Sequence, residues 1–179
     1  MTKQAFHSNN LILIGMPGCG KSTLGVLLAK VLRLSFLDTD LLIQMREGRR
    51  LQEIIDRDGL DDFRRIEKDV LSGRSVTDTL IATGGSAIYY PDAMTHLRSI
   101  GRVVYLRSPL EAVKQHLADF SNRGIAMPRG MTIDELYRER APLYERYADV
   151  AVEVSAEQIT ENMERVLAAI GTDGKPLSS

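Results

Sequence analysis

Several features are scarce or missing along the chain, and each absence excludes something. There is a single cysteine, Cys19, among 179 residues, so no disulfide can close within the chain and nothing points to an oxidising compartment. No run of apolar residues approaches the length of a membrane span, and the apolar run Leu11 to Ile14 that follows the polar N-terminal stretch is too short for a signal peptide. The expectation is a protein of the cytoplasm. Neither sign of charge is in excess: 23 Lys plus Arg stand against 24 Asp plus Glu, for a net charge of −1. Aromatic residues are only 6% of the chain. Together these argue against a nucleic-acid partner, which calls for a basic or aromatic-rich face. Internal repeats, low-complexity tracts and Pro/Ser-rich linkers are absent as well.

What is present suits one folded unit. Hydrophobic residues make up 44% and charged residues 26%, the balance of an ordinary globular domain, and a chain of this length forms one domain, 1–179, with its own core. Short apolar runs alternate with longer amphipathic segments, which implies an α/β architecture: a five-stranded parallel sheet with helices on both faces, a three-layer sandwich. Strands are expected at Leu11–Ile14, Ser35–Leu37, Thr79–Ala82, Arg102–Leu106 and Val150–Val154. Helices are expected at Lys21–Leu32, Leu51–Asp56, Asp61–Leu71, Leu110–Ala118, Ile133–Tyr147 and Ala156–Ile170. Thr132 with Glu135 three residues on has the spacing of a capping box. The stretch Phe120 to Gly130, with Gly124, Pro128 and Gly130 and no periodicity, reads as a mobile loop. The tail after Ile170 is expected to fray.

The strongest chemical signal is Gly15-Met16-Pro17-Gly18-Cys19-Gly20-Lys21-Ser22, which fits G-x-x-x-x-G-K-[ST] between a strand and a helix. In that pattern glycines let backbone N–H groups turn toward a phosphate, Lys21 reaches the β- and γ-phosphates, and Ser22 offers its hydroxyl to Mg²⁺. The binding set for ATP is Gly15, Gly18, Cys19, Gly20, Lys21, Ser22 and Thr23, with Cys19 as filler. No base-reading motif of the GTPases occurs. Two carboxylates, Asp38 and Asp40, lie at the carboxyl end of the second expected strand, where ligands bind in open α/β sheets. One suits Mg²⁺ and the other an acceptor hydroxyl, while a helix cap at Leu41 is the competing use for either. A small-molecule kinase follows from the short length and the absence of the GTPase motif. The three histidines lack metal-ligand spacing.

At this point the ordered set of motifs resembles the shikimate kinase family, small P-loop kinases related in fold to the nucleoside monophosphate kinases. The set comprises the cradle GMPGCGKST, Asp38-Thr39-Asp40, Phe63-Arg64-Arg65-Ile66-Glu67, Gly84-Gly85 and Arg140-Ala-Pro-Leu-Tyr144. The resemblance implies transfer of the ATP γ-phosphoryl group to the 3-hydroxyl of shikimate, with Mg²⁺ as cofactor and a monomer as the working state. It implies that Asp38 binds Mg²⁺ through water, and that Asp40 holds ring hydroxyls and accepts a proton. Arg64 and Arg140 would grip the substrate carboxylate, with Glu67 steadying Arg64. Gly84 and Gly85 would present backbone N–H groups, and Arg123 would close over the phosphates from a lid at residues 119–130. Residues 40–72 would form the acceptor-binding region. The chain departs from the usual pattern at Leu60, where an acid is common, at Ser86, where a third glycine is common, and at Arg123-Gly124-Ile125-Ala126, where R-P-L-L is common. An arginine often found near the adenine is also missing. A two-arginine grip also accommodates other small hydroxy acids such as homoserine or gluconate, and a nucleotide-binding module without turnover is the reading of another class.

Overall fold

The computed structural model describes residues 9–73, 75–119, 124–155 and 158–171. Arg123, most of the stretch Phe120 to Gly124 and the tail beyond Gly171 fall outside the described residues. Five strands, β1 (Asn10–Ile14), β2 (Ser35–Asp38), β3 (Thr79–Ala82), β4 (Gly101–Arg107) and β5 (Val150–Glu153), pair in the order β2-β3-β1-β4-β5. Every pairing is parallel. The helices are α1 (Lys21–Leu32), α2 (Thr39–Glu47), α3 (Leu51–Asp58), α4 (Leu60–Ser72), α5 (Pro91–Ile100), α6 (Leu110–Asp119), α7 (Ile133–Tyr147) and α8 (Ile159–Ile170). Two of them, α2 and α5, are absent from the sequence-based expectations. The last helix starts at Ile159 rather than Ala156, and β5 ends one residue earlier than expected.

Strand alternation sorts the core into two layers. Leu11 and Leu13 of β1 face Leu24, Leu28 and Leu32 of α1 and Val166 of α8. Ile12 and Ile14 face the other way, toward Met94 and Leu97 of α5 and Leu136 and Tyr144 of α7. The strands are thus covered on both sides, which explains why their sequences are continuously apolar. A third, smaller cluster joins Ile43, Ile54, Phe63 and Ile66 of α2, α3 and α4 to Ala126. Helices α2 to α4 therefore carry their own core, and Ala126 of the loop before α7 is part of it. Leu60 packs against the same cluster, so the residue that departs from the family pattern works as packing at the start of α4.

Asn10 stitches the amino ends of the strands. Its side chain is 2% exposed; it donates to the carbonyls of Val76 and Ile100 at 2.6 and 3.0 Å and accepts from the amide of Thr79 at 2.9 Å. All three partners are backbone groups, so one side chain ties three separate segments together. Asn10→Ala is expected to lower the unfolding free energy by about 2–4 kcal/mol, read by urea denaturation; a change below about 0.5 kcal/mol would show that water replaces the amide.

Candidate active site

The carboxyl ends of β1, β2 and β3 open into a cleft of about 320 Å³ whose walls come from the loop before α1, from α2 to α4, from the turn after β3 and from Arg140 of α7. Gly20 sits at φ 92°, a left-handed conformation that only glycine adopts without strain, directly ahead of α1. The amino end of α1 consequently points into the cleft. Gly18, Gly20, Lys21, Ser22 and Thr23 all line it. Gly15 and Cys19 stand behind the wall: Lys21 Nζ donates to the carbonyls of Gly15 and Met16, each at 2.8 Å, and lies 3.7 Å from Cys19 Sγ.

Asp38 caps α2 and holds Ser22 at the same time. One oxygen accepts from the amides of Asp40 and Leu41 at 2.9 and 3.2 Å, capping α2, and the other accepts from Ser22 Oγ at 2.6 Å. The pair of oxygens from Ser22 and Asp38 is a hard, oxygen-only donor set of the kind Mg²⁺ takes. No group of three or more His, Cys, Asp or Glu that could hold a metal ion converges among the described residues.

Asp40 also lines the cleft. Its carboxyl is pushed up to about 7, first by burial and then by the nearby Glu67 and Asp38 carboxylates, while Lys21 pulls the other way. Glu67 is fully buried; one oxygen accepts from Ser86 Oγ at 2.6 Å and from the Tyr90 hydroxyl at 2.8 Å, and the other has no partner among the described residues. Burial raises its pKa, and the two hydroxyl bonds oppose that rise. Gly84 separates the two acids at close quarters. A Cβ there would fall 2.4 Å from Glu67 Oε1 and 2.7 Å from Asp40 Oδ1, and the Gly84 amide donates to Thr39 Oγ1 at 3.0 Å. Gly85 lies against Pro17 and the Arg140 guanidinium.

Arg140 is 1% exposed. Its Nε donates to the Tyr89 hydroxyl at 3.2 Å and its Nη2 to the carbonyl of Ala126. Arg64 is close by but off the cleft wall: its Nη1 lies 3.6 Å from Asp61, its Nε is buried without a partner, and its guanidinium is 5.8 Å from the centre of the Tyr89 ring. The Arg140 guanidinium is 5.1 Å from the same ring, so Tyr89 gathers both cations. Arg65 turns outward to Asp62 at 3.0 Å with 69% of its side chain exposed. Sequence reasoning missed Tyr89 and Tyr90, the hydroxyl role of Ser86, and Gln44, Arg50 and Gln52 on the wall that α2 and α3 give the cleft. The only available signal was a cluster of hydroxyl-bearing residues just after Gly84-Gly85.

A model of the shikimate kinase family matches residues 17–171. The chain belongs to the shikimate kinase family. A shikimate kinase of Francisella philomiragia is 35% identical over 164 residues, 89% of this chain and 93% of that one. One of Pseudomonas savastanoi is 40% identical over 147 residues, covering 80% and 86%. Among solved structures, the shikimate kinase of Acinetobacter baumannii in complex with shikimate superposes with a TM-score of 0.82 at 30% identity, over 92% of this chain and 94% of that one.

The close approach at Gly84 generates a prediction. Gly84→Ala is expected to cost about 1–3 kcal/mol of stability in a denaturation experiment, since the added methyl group pushes two acids apart. ADP affinity, measured by calorimetric titration, stays at the wild-type value because the phosphate loop is untouched.

Proposed function

We propose that the chain is a shikimate kinase, transferring the ATP γ-phosphoryl group to the 3-hydroxyl of shikimate and releasing ADP and shikimate 3-phosphate. The observation that carries this reading is the convergence on one cleft of a phosphate loop, two carboxylates and a buried arginine, in a chain of this family. The activity places it in aromatic amino acid biosynthesis.

In this reading the chain is one domain in which residues 40–72 bind the acceptor and residues 119–130 form a lid. Lys21, released from the Gly15 and Met16 carbonyls, donates to phosphate oxygens. Ser22, and Asp38 through water, hold Mg²⁺, which when bound neutralises charge on the phosphates. Arg140 and Arg64 hold the carboxylate, the task for which a planar guanidinium is suited. Gly84 and Gly85 let the acceptor ring approach the backbone, and Asp40 takes the proton of the attacking hydroxyl. Arg123, carried over from the family motif, closes over the phosphates from the lid. Rate enhancement comes from positioning and electrostatics rather than from covalent chemistry. The reading extends to a monomer acting in the cytoplasm on small molecules, with neither nucleic acid nor membrane as a partner.

Coupled ADP release with Mg·ATP, run in parallel with shikimate, homoserine and gluconate, tests it. Turnover is expected with shikimate, and Arg64→Ala and Arg140→Ala are each expected to lower kcat/KM by about a hundredfold or more. Silence with shikimate alongside turnover of another acid would overturn the acceptor assignment.

The Asp40 role has its own pH signature. Asp40 accepts a proton only when ionised, and its carboxyl lies at about 7. Below that pH the protonated fraction grows, so kcat/KM is expected to fall about tenfold per unit on the acid side, and Asp40→Asn to abolish that limb together with most of kcat. An Asp40→Asn variant that kept its turnover number and lost only affinity would remove the base role.

A further inference from the structure

Helix α4 and the turn after β3 meet through an arrangement that the shikimate kinase reading leaves without a purpose. Ser86 is 3% exposed and Glu67 fully buried. Two hydroxyls, from Ser86 at 2.6 Å and Tyr90 at 2.8 Å, donate to one and the same oxygen, Oε2. The other oxygen, Oε1, receives nothing. It is aimed at the bare backbone of Gly84, where a Cβ would fall 2.4 Å away. Two buried side-chain polar atoms lack a partner among the described residues: this acceptor and the Nε donor of Arg64. They sit three residues apart on α4, hence on the same helical face.

A carboxylate held by a single donor turns easily about its terminal torsion, which has a broad, two-fold profile. Two donors on one oxygen fix the plane of the group and decide where the second oxygen points. Serine supplies one of them from a position where the family pattern commonly has glycine, which has no donor to offer beyond its backbone. The positive charges of Arg140 and Arg64 oppose the rise that burial imposes on the Glu67 carboxyl.

We propose that Ser86 is a positioning residue for the carboxylate end of the acceptor: with Tyr90 it locks Glu67 so that Oε1 stays turned to Gly84, on the face of α4 that carries Arg64, and so orients the Arg64 guanidinium toward the substrate carboxylate. The inference rests on the shikimate kinase reading and adds a specificity element to that site. Ser86 touches no reacting atom in this account. Its effect reaches the substrate through Glu67 and Arg64, so it is confined to acceptors that carry a carboxylate.

The test compares wild type, Ser86→Ala, Ser86→Gly, Glu67→Gln and the Ser86→Ala/Glu67→Gln double variant, with shikimate and with its methyl ester as acceptors. Both Ser86 variants lack the hydroxyl but differ in backbone freedom, so a hydroxyl role makes them alike. Each is expected to raise KM for shikimate by about fivefold to twentyfold, the loss of one bond to a buried charge, with kcat and KM for ATP changed by less than about twofold. The ester is expected to show no difference between wild type and either variant. On the Glu67→Gln background, Ser86→Ala is expected to add less than about twofold, because the group it acts through has lost its charge. An unchanged shikimate KM, an equal loss with acid and ester, or full additivity with Glu67→Gln would each overturn the proposal. Failure of the wild type to phosphorylate shikimate would instead overturn the reading beneath it.

Discussion

Two opposite charges are buried at the floor of the cleft without touching. Glu67 and Arg140 are 0% and 1% exposed, and neither takes part in a direct ion pair; neutral groups satisfy them instead. Glu67 leans on the Ser86 and Tyr90 hydroxyls, and Arg140 on the Tyr89 hydroxyl and the Ala126 carbonyl. Burying an ion is costly unless hydrogen bonds or a counter-charge offset the loss of water. The arrangement supplies enough neutral partners for the protein to fold and leaves a direct counter-charge for Arg140 to be provided by a ligand. An acid entering the cleft then completes an electrostatic circuit that the protein holds partly open, which is the sense in which such a site is preorganised. The tight turn at Gly84 and Gly85, wedged between the two ions, exists because no Cβ fits there.

From this floor the cleft sorts charge along its length. At one end lie Lys21 and the amino terminus of α1, which favour phosphate. In the middle stand Asp38, Asp40 and Glu67; burial first, and then repulsion from the other two carboxylates, raises the Asp40 carboxyl. Beyond them are Arg140 and, behind the wall, Arg64. A ligand that is anionic at both ends and carries a hydroxyl between them matches this order. Asp38 mechanically couples the first two zones, because one of its oxygens starts α2 while the other anchors Ser22 of the phosphate loop. A movement of either element is therefore transmitted to the other through one short side chain.

Local signals in the chain carried much of this. The strand β3 and the helices α1 and α7 begin and end at the residues their patterns indicate, because a glycine-rich turn, a capping box and clean amphipathic periods mark them. Thr132 and Glu135 do form the reciprocal cap, with bonds of 2.8 and 3.2 Å. Helix α2 escaped notice for a physical reason: Leu41 and Met45 are exposed and among its apolar residues only Ile43 is fully buried, so no apolar face shows in the sequence. Helix α5 opens on Pro91, which reads as a breaker yet is favourable at the first helical position. The phosphate loop was legible because its parts are contiguous. The hydroxyl network was not, since Ser86 and Tyr90 meet Glu67 across 19 and 23 residues and Tyr89 meets Arg140 across 51. No periodicity encodes such contacts; only the folded turn after β3 brings them together.

The departures at Leu60, Ser86 and Gly124 look alike in sequence and resolve into three different physical roles. Leu60 fills the small acceptor-side core, and Ser86 feeds a buried carboxylate. Gly124 concerns backbone contact. A Cβ at that position would lie 2.5 Å from the Gln52 amide nitrogen and 2.6 Å from Leu51 Cβ, so the loop leading to Ala126 rests directly on the first turn of α3. Two residues later Ala126 buries its methyl group in the same small core and offers its carbonyl to Arg140. A bulkier residue at 124 would lift the segment off α3, pulling the Ala126 carbonyl away from the guanidinium and opening the cleft wall to water. Glycine there, together with the Arg140 donor, holds the Ala126 carbonyl in place at the cleft wall.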